Sequence, residues 1–177
     1  MSDNAQGSSA PGEQDCMQLP KPTEQHQWLD QLVGEWSYTG TADMGPDQPQ
    51  QEMSGTESVR SLGGIFIQAE LQGKMPDGSD ATAITVIGYD PDKGCYVGCW
   101  YGMMMMKIWH YEGQLSADGS RLPLGCEGPV MDGSGATTRY EDEIEIVNAD
   151  HRRLRSRMLT ADGNWMEFMR MEFTRTK

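Results

Sequence analysis

The sequence predicts an all-β protein: an antiparallel up-and-down barrel of about ten strands with one short N-terminal helix. Three observations carry this. Apolar residues alternate with polar ones at a period of two from Trp36 to the C-terminal region. Turn formers break the alternation at regular intervals. The count of about ten short strands would leave two bare edges in a flat sheet, whereas closure pairs them and buries one face of every strand. A two-sheet sandwich is the rival arrangement.

Residues 1–21 are rich in Ser, Gly, Pro and Gln and lack apolar periodicity, so they are expected to form a disordered tail ahead of a single domain over 22–177. Thr23 can cap a short helix in which Trp28, Leu29, Leu32 and Val33 share a face, with Gly34 as its stop. The first strand starts at Trp36, and a Pro-rich connection follows from Met44 to Gln51. Further strands are expected near 52–60, 64–73, 81–89, 95–103, 105–115, 121–128, 137–147, 152–160 and 164–174. Their separators include Pro91-Asp92-Lys93-Gly94, Ala117-Asp118-Gly119, Met131-Asp132-Gly133, Asn148-Ala149-Asp150 and Ala161-Asp162-Gly163. In each, Asp or Asn bonds to local backbone, or Gly accepts a positive φ.

Fourteen basic against 27 acidic residues give a net charge of −13, a field that repels nucleic acid and anionic membranes. The run His151-Arg152-Arg153-Leu154-Arg155-Ser156-Arg157 follows Glu141-Asp142-Glu143-Ile144-Glu145 closely, and on adjacent antiparallel strands the opposite charges would pair. No segment approaches the roughly 18 apolar residues of a membrane-spanning helix, and the opening residues lack the blocks of an export signal. A cytoplasmic protein is therefore expected. Cys16, Cys95, Cys99 and Cys126 are expected as free thiols, since Cys95 and Cys99 on one strand would lie about 13 Å apart.

Alternation also sorts the walls. Ile65, Ile67, Ala69 and Leu71 oppose Gln68, Glu70 and Gln72. Leu122, Leu124 and Cys126 oppose Arg121 and Glu127, and Tyr140, Ile144 and Ile146 oppose Glu141, Glu143 and Glu145. Some polar residues fall in the inward phase: Glu57, His110 with Glu112 beside Ile108, Asp142, and Glu167. Buried carboxylates are costly unless paired, so these sit near a mouth or line a polar cavity. Arg170 is a further candidate if it turns inward with Met166 and Phe168, because a guanidinium inside an apolar barrel would match a ligand carboxylate; the opposite face, Trp165, Met169, Met171 and Phe173, is at least as apolar, which leaves an outward Arg170 open. With the walls Trp36, Trp100 and Met105, the candidate ligand-binding set is Trp36, Glu57, Trp100, Met105, His110, Glu112, Asp142, Glu167 and Arg170.

The run Met103-Met104-Met105-Met106 cannot gather four sulfurs on an extended strand, where Met103 and Met105 oppose Met104 and Met106. It reads as a two-sided packing element, and a bulge at Gly102 would swap the pairs. No catalytic residues, metal ligands or cofactor are assigned. Asp90-Pro91-Asp92-Lys93-Gly94 lacks the later ligands of a calcium loop, and Ser61-Leu62-Gly63-Gly64 lacks the lysine and helix of a phosphate loop.

An ordered series of motifs resembles the bacterial domain-of-unknown-function family DUF1579 over about residues 24–175. It runs from His26-Gln27-Trp28-Leu29 and Leu32-Val33-Gly34-Glu35-Trp36 through Ser54-Gly55-Thr56-Glu57-Ser58-Val59-Arg60 and Gly88-Tyr89-Asp90-Pro91. Gly98-Cys99-Trp100, Tyr111-Glu112-Gly113, Glu127-Gly128-Pro129 and Asp162-Gly163-Asn164-Trp165 continue it. Gly34-Glu35-Trp36 is also similar to the Gly-x-Trp opening of lipocalin-like barrels. The resemblance implies the barrel and no established activity. Relatives often carry Ser, Thr or His around the paired methionines, where this chain has Met103, Met106 and Lys107; Glu141 stands where an arginine is common. Three roles remain open: binding a small apolar, amphipathic or carboxylated ligand; forming a structural or homo-oligomeric unit; and acid/base catalysis by Glu57, His110, Glu112, Asp142 or Glu167.

Overall fold

Alternation along the chain resolves into one antiparallel sheet whose two ends meet. A computed structural model of the protein describes residues 19–43, 49–75, 77–130 and 134–177. The expected tail up to residue 18, Cys16, most of the Pro-rich connection and the Met131-Asp132-Gly133 turn lie outside the described residues. A short helix, α1 (Glu24–Trp28), runs into a single 3₁₀ turn over Leu29–Leu32. Ten strands follow: β1 (Gly34–Ala42), β2 (Gln51–Leu62), β3 (Phe66–Lys74), β4 (Asp80–Asp90), β5 (Cys95–Gly102), β6 (Met105–Gly113), β7 (Arg121–Pro129), β8 (Thr137–Asn148), β9 (His151–Leu159) and β10 (Trp165–Arg175). Each pairs with its sequence neighbour, and β1 also pairs with β10, which closes the barrel.

The helix forms because Thr23 is extended ahead of the first turn and its N–H donates to His26 Nδ1 at 3.0 Å, the reciprocal half of a capping box. It lies across one end of the barrel. Trp28 Nε1 donates to the Gly119 carbonyl at 2.8 Å, and the Tyr96 hydroxyl donates to the Gln25 carbonyl at 2.8 Å. Gly34 turns the chain from this cap into β1 at φ 139, and a Cβ there would come within 2.3 Å of the Arg175 guanidinium. Only glycine fits the bend. Leu29, Leu32, Trp36, Ile87, Tyr96, Leu122, Leu124 and Phe173 fill this closed end, each 2% exposed or less.

The opposite rim carries the β1–β2, β3–β4, β5–β6, β7–β8 and β9–β10 connections, and no helix among the described residues covers it. The wall is uneven there. β7 and β8 pair over nine residues, Arg121 to Pro129, yet β6 and β7 pair only at Glu112↔Gly125 and Gly113↔Leu124, near the closed end. Toward the rim the Trp109 indole lies over Gly128, where a Cβ would meet the ring at 2.0 Å. Pro129, which has no N–H to donate, ends β7 at the same seam.

The methionine run departs from expectation. β5 ends at Gly102, after a register shift beyond Trp100, and Gly102 pairs with Met105. Met103 and Met104 thus form the tip of a tight hairpin rather than strand residues. Met105 points inward, where its sulfur accepts from Trp109 Nε1 at 2.8 Å; Met103, Met104 and Met106 are exposed.

The inward phase assigned to each strand is open to a stability test. Leu122→Ala, which empties a fully buried site, is expected to cost about 2–5 kcal/mol in urea unfolding. Ile108→Ala, on the outer face of β6, should change stability by no more than about 0.5 kcal/mol. A comparable cost for both would contradict the phase of β6.

Candidate functional site

On β9 the inward residues climb from the closed end to the rim in the order Arg152, Leu154, Ser156, Met158, while Arg153, Arg155 and Arg157 face out. The outward arginines meet the acidic face of β8 as the sequence suggests: Arg153 reaches Glu145 at 2.8 Å, Arg155 reaches Glu145 at 2.7 Å and Arg157 Nε reaches Glu141 at 2.9 Å. Arg152 behaves differently. It is 4% exposed and bonds Glu57 across the barrel, with its guanidinium 4.0 Å from the Phe173 ring centroid and 4.7 Å from that of Trp36. Burial raises the Glu57 carboxyl above its ordinary range, and the charge and hydrogen bond of Arg152 oppose that shift. Arg152 is a residue that charge pattern alone hides; the signal that could have found it is Leu154, whose inward phase forces Arg152 and Ser156 to share it.

Above this ion pair lies a second polar group. The Tyr111 hydroxyl donates to Asp142, and Ser156 stands opposite Asp142 in the β8–β9 register. Ser156 is 1% exposed, and its hydroxyl faces the Asp142 carboxyl, whose ionised form it favours. Burial lifts the Asp142 carboxyl above the usual aspartate range, against the hydrogen bonds that favour its ionised form. The Tyr111 hydroxyl is pushed well up by burial and by Asp142, and burial beside the same carboxyl raises the Cys126 thiol to about 12. Cys126 is accordingly a neutral wall group rather than a reactive thiolate.

The walls at this level are apolar but not tightly covered. Trp100, Leu71, Met53, Leu154, Met169 and Cys126 pack against the core yet remain only partly buried, as does Asp142. Nearer the rim, Tyr140 packs edge-on against Trp109 and Phe168.

The structure therefore divides the candidate residues. Trp36, Glu57, Trp100, Met105 and Asp142 point inward. His110 and Glu112, expected inside, lie on the exposed outer face, because β6 turns Trp109 and Tyr111 inward; Glu112 pairs with Lys93. Glu167 and Arg170 also lie outside, paired with each other at 2.8 Å. A bulge between Glu167 and Met169 resets the phase of β10, so Met169, Met171 and Phe173 point in while Arg170 points out beside Thr39 and Thr41. The carboxylates and histidine considered for catalysis are not gathered: Glu57 and Asp142 occupy different levels of the interior, and the others face outward.

These features define a closed, ten-stranded lipocalin-like barrel with a capped end and polar groups embedded in an apolar interior. The chain belongs to the family described as Protein of unknown function (DUF1579), whose model matches residues 21–175. No curated protein matches the sequence significantly. Among solved structures the chain is similar to Rv2717c from M. tuberculosis, at 15% identity over 89% of this chain and 100% of that one, with a TM-score of 0.62. It is also similar to the S-type phycobiliprotein lyase CPES from Guillardia theta, at 14% identity over 86% and 92% of the two chains, with a TM-score of 0.57. Such identities speak to the shared fold. No helix among the described residues is long and apolar enough to cross a membrane.

Asp142 gives the site a pH signature. With its folded-state pKa raised, its contribution to stability is complete below the unfolded carboxyl pKa of about 3.9 and is lost as pH rises through the folded-state value. Asp142→Asn keeps an acceptor for Tyr111 without that loss. Urea unfolding is expected to show the variant gaining on the wild type as pH rises from about 4 toward neutrality. A stability difference that stays flat over this range would contradict a raised Asp142.

Proposed function

We propose that this chain binds a small apolar or amphipathic molecule in the rim-side half of its barrel. The observation that carries the proposal is the incomplete burial of the apolar residues Leu71, Trp100, Leu154 and Met169, which share the inward phase with the Asp142–Tyr111 pair. Core residues of a barrel that serves only as a scaffold close over one another, as they do around Trp36 at the capped end. Higher up, Trp100, Leu154 and Met169 offer apolar surface, and few polar groups converge on it, which is the usual make-up of a small-molecule site.

The chemistry at depth selects against an anionic group. Asp142 and Glu57 already crowd the interior with carboxyls, and the guanidinium of Arg152 is engaged by Glu57. The Asp142–Tyr111 pair, with Ser156 opposite Asp142, instead suits a hydroxyl, a carbonyl or plain hydrocarbon. Cys95, Cys99 and Cys126 are free thiols, which suits a reducing compartment such as the cytoplasm.

Titration with 1-decanol is expected to change the tryptophan emission saturably, as ligand approaches Trp100 and Trp109. Leu154→Trp, which fills the same space, should abolish that saturable change while leaving the barrel folded by circular dichroism. An absence of saturable change in the wild type, or an unaltered isotherm in the filled variant, would sink the proposal.

A further inference from the structure

We infer that Lys107, at the rim end of the β6–β7 seam, anchors the anionic head of a carboxylate-bearing amphiphile whose chain runs down into the barrel. The inference rests on the interior-binding reading above and assigns it a ligand class and an orientation.

Lys107 shares the phase of Trp109 and Tyr111, the inward residues of β6, and its ammonium lies 5.1 Å from the Trp109 ring centroid. Of the two lysines placed within strands, Lys74 pairs with Asp80, whereas Lys107 has no carboxylate partner among the described residues. That is unexpected in a chain of net charge −13, where carboxylates outnumber cations almost two to one. The cation is held over an aromatic face instead, which leaves its hydrogen-bonding capacity open to a ligand.

Two further observations converge on the same place. The Trp109 N–H donates to the thioether of Met105, a weak acceptor that a carboxylate oxygen would outcompete. Beside it, the β6–β7 ladder is absent beyond Glu112, so the wall next to Lys107 is a seam closed by the Trp109 ring rather than by backbone pairing. From there the inward residues of β6 lead directly down to Tyr111 and Asp142.

Orientation follows from the distribution of charge. An anion at depth would meet Asp142 and Glu57, and Arg170 is outside and already paired with Glu167. Lys107 and the Trp109 N–H together place the head at the mouth, in water-accessible surroundings where its desolvation is cheapest. Hydrocarbon then lies against Trp100, Leu154 and Met169.

The test compares decanoate with 1-decanol on the full chain, followed by tryptophan emission, for the wild type and Lys107→Gln. Lys107 is exposed, so the variant is expected to fold normally. Loss of a hydrogen bond to a charged group should weaken decanoate binding about tenfold in the variant and leave decanol unchanged. Added salt should weaken decanoate, not decanol, in the wild type. If Lys107→Gln binds decanoate as the wild type does while decanol still binds both, the anchor is overturned and interior binding stands. If neither probe binds the wild type, both readings fall together.

Discussion

Closure of the barrel depends on the surroundings of Trp36. Its strand, β1, is the one that joins the last strand to the second, with Trp36 opposite Arg175 on one side and Glu57 on the other. The indole N–H donates to the Leu32 carbonyl at 2.9 Å and so ties the cap to the wall. Two guanidinium groups lie against the ring, Arg152 at 4.7 Å and Arg175 at 4.1 Å from its centroid. Arg175 in turn donates to the Gln31 and Val33 carbonyls at the end of the cap. One buried ring thus links the helix, the first strand, the last strand and the internal ion pair.

With that end filled, the remaining interior is set by what the strands present higher up. There the polar Ser156 and Asp142 share the inward phase with Trp100, Leu154 and Met169, which remain only partly buried. The proposed site is thus a region of the barrel interior where burial raises the pKa of Asp142, Tyr111 and Cys126. The seam between β6 and β7 belongs to the same logic: Trp109 replaces several backbone hydrogen bonds by a ring laid over Gly128.

Much of the fold was legible in the sequence, because period-two alternation and Asp/Asn-Gly turns act locally and leave a strong imprint. All ten strands stand within a few residues of where the pattern puts them, and Thr23 begins the helix as its capping chemistry suggests. The site was legible only in part. The inward phase of Glu57 and Asp142 was read correctly because alternation holds through β2 and through β8 as far as Ile146. His110, Glu112 and Glu167 were misplaced, since a tight hairpin at Met103-Met104 fixes the phase of β6 and a bulge after Glu167 resets that of β10, while the outward, ion-paired Arg170 is the alternative the pattern left open. Slips of a single residue exchange the two faces of a strand, and hydrophobicity alone cannot register them where both faces are rich in Met and Trp. Arg152 was hidden for the converse reason: four arginines at near-alternate positions look like one charged face until pairing shows that one of them turns inward.

The methionines that obscure this phase also report on it. Methyl spectra of protein carrying ¹³C-labelled methionine distinguish inward residues, such as Met53, Met105 and Met169, from Met103 and Met106 on the outside. On addition of decanol, the Met105 and Met169 methyl resonances are expected to shift saturably while Met106 stays fixed. Shifts confined to Met103 and Met106, with the interior methyls unmoved, would contradict a binding site inside the barrel.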